Sequence, residues 1–115
     1  MENLSLSCQD NIITAKLKNE IDHHSAVAVR VQIDDMLYKE LPKALVFDLS
    51  EVNFMDSSGL GLVLGRYAKA KELGIDVVIK NPSKRTEKIF RMAGTDKLIK
   101  IIHDKEIKKR IKKIK

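Results

Sequence analysis

Apolar and polar residues recur along the chain with two different periods, and these periods predict an order of strands and helices. Two short runs with strand character, residues 4–7 and 12–18, flank the sequence Cys8-Gln9-Asp10-Asn11. Asp and Asn favour tight turns because their short polar side chains tolerate left-handed backbone geometry. We therefore expect a hairpin of two strands at the start of the chain.

The segment after Asp22 fits two patterns. A half-buried strand is favoured by the alternating residues Val27, Val29, Val31 and Ile33. A helical spacing is met equally well by Ala26, Val29, Ile33, Met36 and Leu37. The pattern continues to Leu41, which is longer than most strands, and Asp22 is a good N-cap residue. We therefore predict a first helix that ends at Pro42.

Three further strands and two further helices are predicted downstream. The nearly continuous apolar run 44–49 is typical of a central strand covered on both faces. Residues 75–80 and 98–102 are predicted as the other two strands. The predicted order is ββαβαβαβ. Strand–helix–strand units favour parallel pairing through right-handed crossovers, so we expect an α/β fold with a mixed, mostly parallel sheet.

The two further helices are predicted from spacing and from their end signals. The inward side of the second helix is expected to hold Leu60, Val63, Leu64 and Tyr67, with Gly74 as its C-cap. For the third helix, Asn81-Pro82 resembles an N-cap followed by a first helical residue. Its inward side is expected to hold Ile89, Phe90 and Ala93, with Gly94 at its end.

Composition and charge narrow the classes of function. A length of 115 residues fits one domain. Aromatic residues make up 4% and Trp is absent, which leaves little stacking surface for single-stranded nucleic acid. The formal net charge is +6, but residues 103–115 hold seven Lys/Arg and two Asp/Glu, which leaves 15 basic and 14 acidic residues in 1–102. Because the body is nearly neutral, direct nucleic-acid binding is not expected.

The sequence also indicates where the protein works. No apolar run approaches the roughly 20 residues that span a bilayer. The start, MENLSLSCQD, lacks the basic and then apolar stretches of a secretion signal. The single cysteine, Cys8, excludes an internal disulfide. We therefore expect a cytoplasmic protein.

The sequence Asp56-Ser57-Ser58-Gly59 lies where the central strand leads into the second helix. Ligands and partners of open α/β sheets meet the carboxyl ends of the strands. A helix start adds unpaired backbone N–H groups and a partial positive charge. We interpret Gly59 and Gly61 as keeping the first turn open to another backbone or a phosphate. Each glycine costs about 1 kcal/mol of helix stability against Ala.

Residue spacing alone leaves three interpretations of this corner open. The first is structural: Asp56 or Ser57 is an N-cap, and the glycines allow tight helix packing. The second is catalytic, but a serine nucleophile elbow needs Gly where Met55 stands, and no Gly-Lys-Ser/Thr phosphate loop occurs. The third is regulatory, because phosphorylation of an exposed serine adds about −1.5 to −2 charges. No cofactor is expected, and Asp22, His23 and His24 are too crowded at one helix start for a metal site.

Three motifs together resemble the anti-sigma factor antagonists of the STAS domain family. They are NEIDHHSA at 19–26, FMDSSGLGLVLGRY at 54–67 and the helix end Arg91-Met92-Ala93-Gly94. The likeness covers roughly residues 4–102 and is nearest to the sporulation branch, the antagonists of the anti-sigma-F factor. It implies one STAS domain over 1–102 and a separate basic tail over 103–115.

The resemblance implies a phosphorylation switch without catalysis of its own. Ser57 would be the phosphoacceptor, Asp56 would present its hydroxyl, and Asp22 would meet a basic side chain of the partner. The whole expected contact surface comprises Asp22, His23, Asp56, Ser57, Ser58, Gly59 and Gly61. The unphosphorylated chain would displace a sigma factor from an anti-sigma factor. That partner would also be a serine kinase with bound nucleotide, and a serine phosphatase would reverse its action. The alternative is a STAS scaffold or ligand-sensing module in which Ser57 is only a helix cap.

Three remaining features have structural interpretations. His23 and His24 are predicted as solvated residues of the first helical turn, and Arg66 is predicted on the exposed face of the second helix. In the tail, Ile107, Ile111 and Ile114 form one apolar stripe on a very basic helix. We expect that helix to be solvated with its stripe against the body. Weak attraction to an anionic membrane or an acidic partner is the alternative.

Overall fold

The computed structural model describes residues 2–105, which form a five-stranded sheet with three α-helices. The strands are β1 (Leu4–Gln9), β2 (Ile12–Ile21), β3 (Ala44–Met55), β4 (Asp76–Lys80) and β5 (Lys100–Ile102). The helices are α1 (His23–Glu40), α2 (Ser57–Glu72) and α3 (Lys84–Met92), and a short 3₁₀ turn, Thr95–Lys97, precedes β5. The predicted order ββαβαβαβ is confirmed.

The sheet follows the order of the chain, β1-β2-β3-β4-β5. Strands β1 and β2 are antiparallel, and the other neighbouring pairs are parallel. Asp10 and Asn11 join the first pair with φ angles of 53° and 63°, the left-handed geometry that a two-residue hairpin turn requires. The mixed, mostly parallel sheet and the hairpin are therefore confirmed.

The central strand β3 is longer than its apolar run predicts. It continues past Leu49 to Met55 and stays paired with β2, whose last residue Ile21 lies opposite Met55. In residues 44–49 one face of β3 is buried and the other is half-buried, and residues 50, 51, 53 and 54 are exposed, so the expected full cover of both faces is wrong. The consequence for function is that β2 and β3 end together, at one edge of the sheet.

The start of α3 corrects the prediction from Asn81-Pro82. The N-cap is Ser83, whose hydroxyl oxygen accepts the N–H of Thr86 at 3.1 Å. Asn81 instead takes a left-handed φ of 56° and exchanges two hydrogen bonds with Asp104. Gly74 and Gly94 have positive φ angles, and each directly follows the C-cap residue of a helix. For Gly74 this is one position later than predicted, because the C-cap of α2 is Leu73. Ala93, expected inward, is exposed.

The end of the described chain remains attached to the sheet domain. His103 contacts Glu87 of α3, and Asp104 bonds to Asn81. The predicted stripe of Ile107, Ile111 and Ile114 lies outside the described residues. Within residues 2–105, no helix combines the length and the apolar character needed to cross a bilayer.

Candidate functional site

Two helices start side by side at the edge where β2 and β3 end. Asp22 follows β2 and is the N-cap of α1, and Asp56 follows β3 and is the N-cap of α2. The N–H of Asp56 donates to the carbonyl oxygen of Ile21 at 3.4 Å, which ties the two chain segments together. This edge therefore presents two helix N-termini, each carrying its own carboxylate.

Asp56 supplies the cap of α2. Its Oδ1 accepts the backbone N–H of Ser58 at 2.8 Å and that of Gly59 at 3.4 Å. Ser57 is the first residue of the helix and is exposed, whereas Ser58 is half-buried. Of the two adjacent serines, Ser57 is therefore the more accessible, and the helix does not need its side chain as a cap.

Asp22 caps α1 through a reciprocal pair of bonds. Its Oδ1 accepts the N–H of Ser25 at 3.0 Å, and its own N–H donates to the hydroxyl of Ser25 at 3.0 Å. The hydrogen bond from the Ser25 backbone is the main reason why the pKa of Asp22 lies below its ordinary value. The carboxylate is thus ionised at neutral pH and half-buried at the edge of the site.

The interpretation of Gly59 as an open position is wrong. Gly59 is buried, and a Cβ built there would lie 3.2 Å from Ile21 Cγ2 and far closer, 2.3 Å, to Met55 Cγ. Its missing side chain therefore lets α2 pack tightly on the sheet. Gly61 fits the interpretation better, because it is exposed and a Cβ there would meet no atom within 4 Å.

Both histidines at the start of α1 are exposed, as predicted. They point to different surroundings. His23 lies with Ser58 along a groove between α1 and α2. His24 lies with Asp22 and Glu20 in a separate depression. Among residues 2–105, no three His, Cys, Asp or Glu side chains stand close enough together to hold a metal ion.

Arg66 contradicts the prediction of an exposed, solvated side chain. It is only 8% exposed, and its Nε lies 2.7 Å from Asp34 Oδ1 on α1. Burial lowers the pKa of Arg66, and Asp34 opposes that effect. The inward face of α2 is formed by Gly59, Leu62, Val63, Arg66 and Ala70. The spacing of Arg66 from Leu62 and Ala70, four residues on either side, is the signal that could have placed it there.

Comparisons with known proteins identify the family to which this fold belongs. The family model for the STAS domain matches residues 3–111. The chain is 31% identical over 96 residues to the anti-sigma F factor antagonist of Paenibacillus polymyxa, covering 84% of this chain and 81% of that protein. It is similar to the structure of the anti-sigma factor antagonist SpoIIAA in its unphosphorylated form, with a TM-score of 0.77, 25% identity and coverage of 95% and 96%. For the Bacillus cell fate determinant SpoIIAA in the phosphorylated form, the TM-score is 0.72, with 26% identity and coverage of 94% and 98%.

Proposed function

The chain belongs to the STAS domain family, and from that membership we propose that it is an anti-sigma factor antagonist switched by phosphorylation of Ser57. In this proposal the unphosphorylated chain binds an anti-sigma factor and releases the sigma factor. The observation that carries the proposal is the exposure of Ser57 at the first position of α2. Similarity to a relative named as an antagonist over most of both chains supports it.

The charge of the phosphate explains how one modification could switch binding. A phosphoserine adds about −1.5 to −2 charges at pH 7. The N–H groups of Ser58 and Gly59, which would otherwise solvate that phosphate, already bond to Asp56. The phosphate would therefore stand next to a carboxylate and gain little beyond the about 0.3–1 kcal/mol that a helix dipole offers.

An interface over this edge would have to desolvate the phosphate. An unpaired polar group loses several kcal/mol on burial and an unpaired ion more, while each 1.4 kcal/mol is about tenfold in affinity. Phosphorylation would thus lower the affinity for the partner at least a hundredfold, without unfolding the domain. Asp22 would supply an attractive contact. Its capping bonds use Oδ1, which leaves Oδ2 for a cation of the partner.

The partner in this proposal is an anti-sigma factor that is also a serine kinase with bound nucleotide, and a serine phosphatase restores the active form. The chain is then the substrate of both enzymes and no enzyme itself. The alternative scaffold role assigned Ser57 to the helix cap. Asp56 fills that role, so the scaffold interpretation loses its structural reason for a serine at this position.

Incubation with the kinase and ATP tests the proposal. Mass spectrometry of wild type, Ser57→Ala and Ser58→Ala should show one phosphate on wild type and on Ser58→Ala and none on Ser57→Ala. Ser57→Ala should still bind the kinase, whereas Ser57→Asp should bind more weakly. Equal labelling of Ser57→Ala and wild type would refute the assignment of the site.

A further inference from the structure

A groove of about 310 Å³ runs between α1 and α2. It begins at His23 and Ser58, next to Ser57. Its lining from α1 is His23, Ala26, Val27 and Arg30, and from α2 it is Ser58, Gly61, Leu62, Gly65 and Arg66. We call this the α1–α2 groove. From Ser58 to Gly65 it follows α2 for about 10 Å, at a helical rise of 1.5 Å per residue.

Contacts between the two helices close the far end of the groove. Asp34 pairs with Arg66 there, and one turn further the Nζ of Lys69 lies 5.7 Å from the centre of the Tyr38 ring. Toward Ser58, no ion pair or cation–π contact joins the described residues of the two helices. The groove is therefore an opening that continues directly from the surface around Ser57.

The glycines of the groove are not needed by the packing of the domain itself. A Cβ at either Gly61 or Gly65 would meet no atom within 4 Å. Each glycine inside a helix costs about 1 kcal/mol against Ala. Gly59 is explained by its contact with Met55, but these two have no such internal reason. The space they leave suits a group that approaches from outside.

The walls of the groove offer apolar surface and a surplus of positive charge. Val27, which lines the groove, is 52% exposed, and Val31, which lies beyond the lining residues one turn further along α1, is 46% exposed. Two guanidinium groups, those of Arg30 and Arg66, line the groove, and the carboxylate of Asp34 pairs with Arg66. Arg30 is exposed and makes no ion pair with any residue from 2 to 105. A ligand that fits this groove is therefore apolar in part and acidic in part.

We propose that the α1–α2 groove receives a helix of the partner protein, with an apolar side chain between Val27 and Gly65 and a carboxylate that pairs with Arg30. The inference rests on the proposed function and extends the proposed contact surface from Ser57 along α2. Helices commonly bind in such grooves through a few apolar anchors, and glycines permit the close approach of a second backbone. The chain's own residues 106–115 fit poorly as the occupant, because they carry six Lys/Arg and one Glu.

Two substitutions test the two halves of this contact. Gly65→Leu fills the groove, and Arg30→Glu reverses its charge. Ala68→Leu places the same leucine side chain three residues later on α2, outside the groove, and Lys43→Glu makes the same charge reversal at the opposite edge of the sheet. Binding of each variant to the purified anti-sigma factor is measured by calorimetry at low and high salt. Circular dichroism and urea unfolding confirm that each variant is folded.

We expect Gly65→Leu and Arg30→Glu each to weaken binding about tenfold or more, because the first introduces a steric clash with the bound partner and the second sets two like charges against each other. The effect of Arg30→Glu should shrink at high salt because exposed charges are screened. Ala68→Leu and Lys43→Glu should change binding by less than about threefold. Wild-type affinity for folded Gly65→Leu would overturn the inference.

The same experiments separate this inference from the proposed function. If wild type takes phosphate on Ser57 and binds, while both groove variants bind as well as it does, the function stands and the groove contact is wrong. If wild type neither binds nor takes phosphate, both are wrong. Analytical ultracentrifugation of the chain alone tests whether a second copy of the chain occupies the groove. Self-association of wild type that Gly65→Leu abolishes would make a second copy the occupant and overturn the assignment to the partner.

Discussion

The three glycines of α2 show how much the environment of a single residue decides. Gly59 faces the sheet, where Met55 and Ile21 leave no room for a side chain. Gly61 and Gly65 face open space. Identical residues therefore allow close internal packing in one case and border open space in the other two, and alanine substitution distinguishes them.

Gly59→Ala should destabilise the domain, whereas Gly61→Ala should stabilise it. The added methyl at residue 59 would have to displace the buried side chain of Met55, and overpacking of this kind costs about 1–3 kcal/mol. At residue 61 nothing opposes the gain in helix propensity, about 0.5–1 kcal/mol. Urea unfolding of both variants measures the difference. Equal stabilisation by the two substitutions would show that Met55 yields without strain.

The caps of α1 and α2 were predictable because they are local. Asp22 and Asp56 each bond to backbone N–H groups no more than three residues further along the chain. Arg66 was not predictable in the same way, because its partner Asp34 lies on another helix. The exposure of Ser57 was expected from the motif, but the assignment of the cap to Asp56 alone needed the structure.

At the scale of whole elements, long-range contacts explain where the prediction of helix and strand limits failed. Asn81 is a reasonable N-cap by sequence, yet its side chain bonds to Asp104 beyond β5, so α3 starts later, at Lys84. Strand β3 extends beyond its apolar run because its pairing with β2 continues to Met55. The order of the elements, in contrast, follows from periodicity alone.

Helix α3 is fastened to the end of β5 through Glu87. Its Oε1 lies 2.6 Å from His103 Nε2, and its Oε2 lies 3.0 Å from Arg91 Nε. Arg91 also pairs with Asp96 at 3.2 Å. Burial acts to raise the pKa of Glu87, but the hydrogen bonds from Arg91 and His103 prevail and hold the pKa below its ordinary value.

The depressed pKa predicts the pH dependence of this attachment. A carboxyl whose pKa is lower in the folded state stabilises it above the unfolded pKa, about 4.5 for Glu, and loses that contribution as the pH falls through the folded value. Glu87→Gln should therefore lower the free energy of unfolding by about 1–3 kcal/mol at pH 7, and less below pH 4.5. Urea unfolding across that range measures it, with the exposed Glu72→Gln as the control. A constant difference from wild type at every pH would contradict the explanation.

Across the whole molecule, the proposed switch adds charge at one edge of the sheet and leaves the fold in place. The site is formed by the ends of β2 and β3 and the starts of α1 and α2, and a backbone hydrogen bond between Asp56 and Ile21 connects them. Ser57 itself is exposed and is not among the buried residues of α2. A phosphate there has no part of the core to displace, so its effect should be confined to the surface.

Phosphoserine placed at residue 57 by genetic code expansion should change the free energy of unfolding by no more than about 1 kcal/mol, the scale of one charge at a helix start. Hydrogen exchange should change in the first turn of α2 and not in the sheet. Part of any destabilisation should vanish in Asp56→Asn, because Asn keeps the cap and removes the adjacent negative charge. Phosphoserine at Ser7, an exposed residue of β1 near the hairpin, controls for added charge elsewhere. Loss of protection throughout β2 and β3 on modification of Ser57 would instead mean that the phosphate acts by opening the fold, and the electrostatic account of the switch would fail.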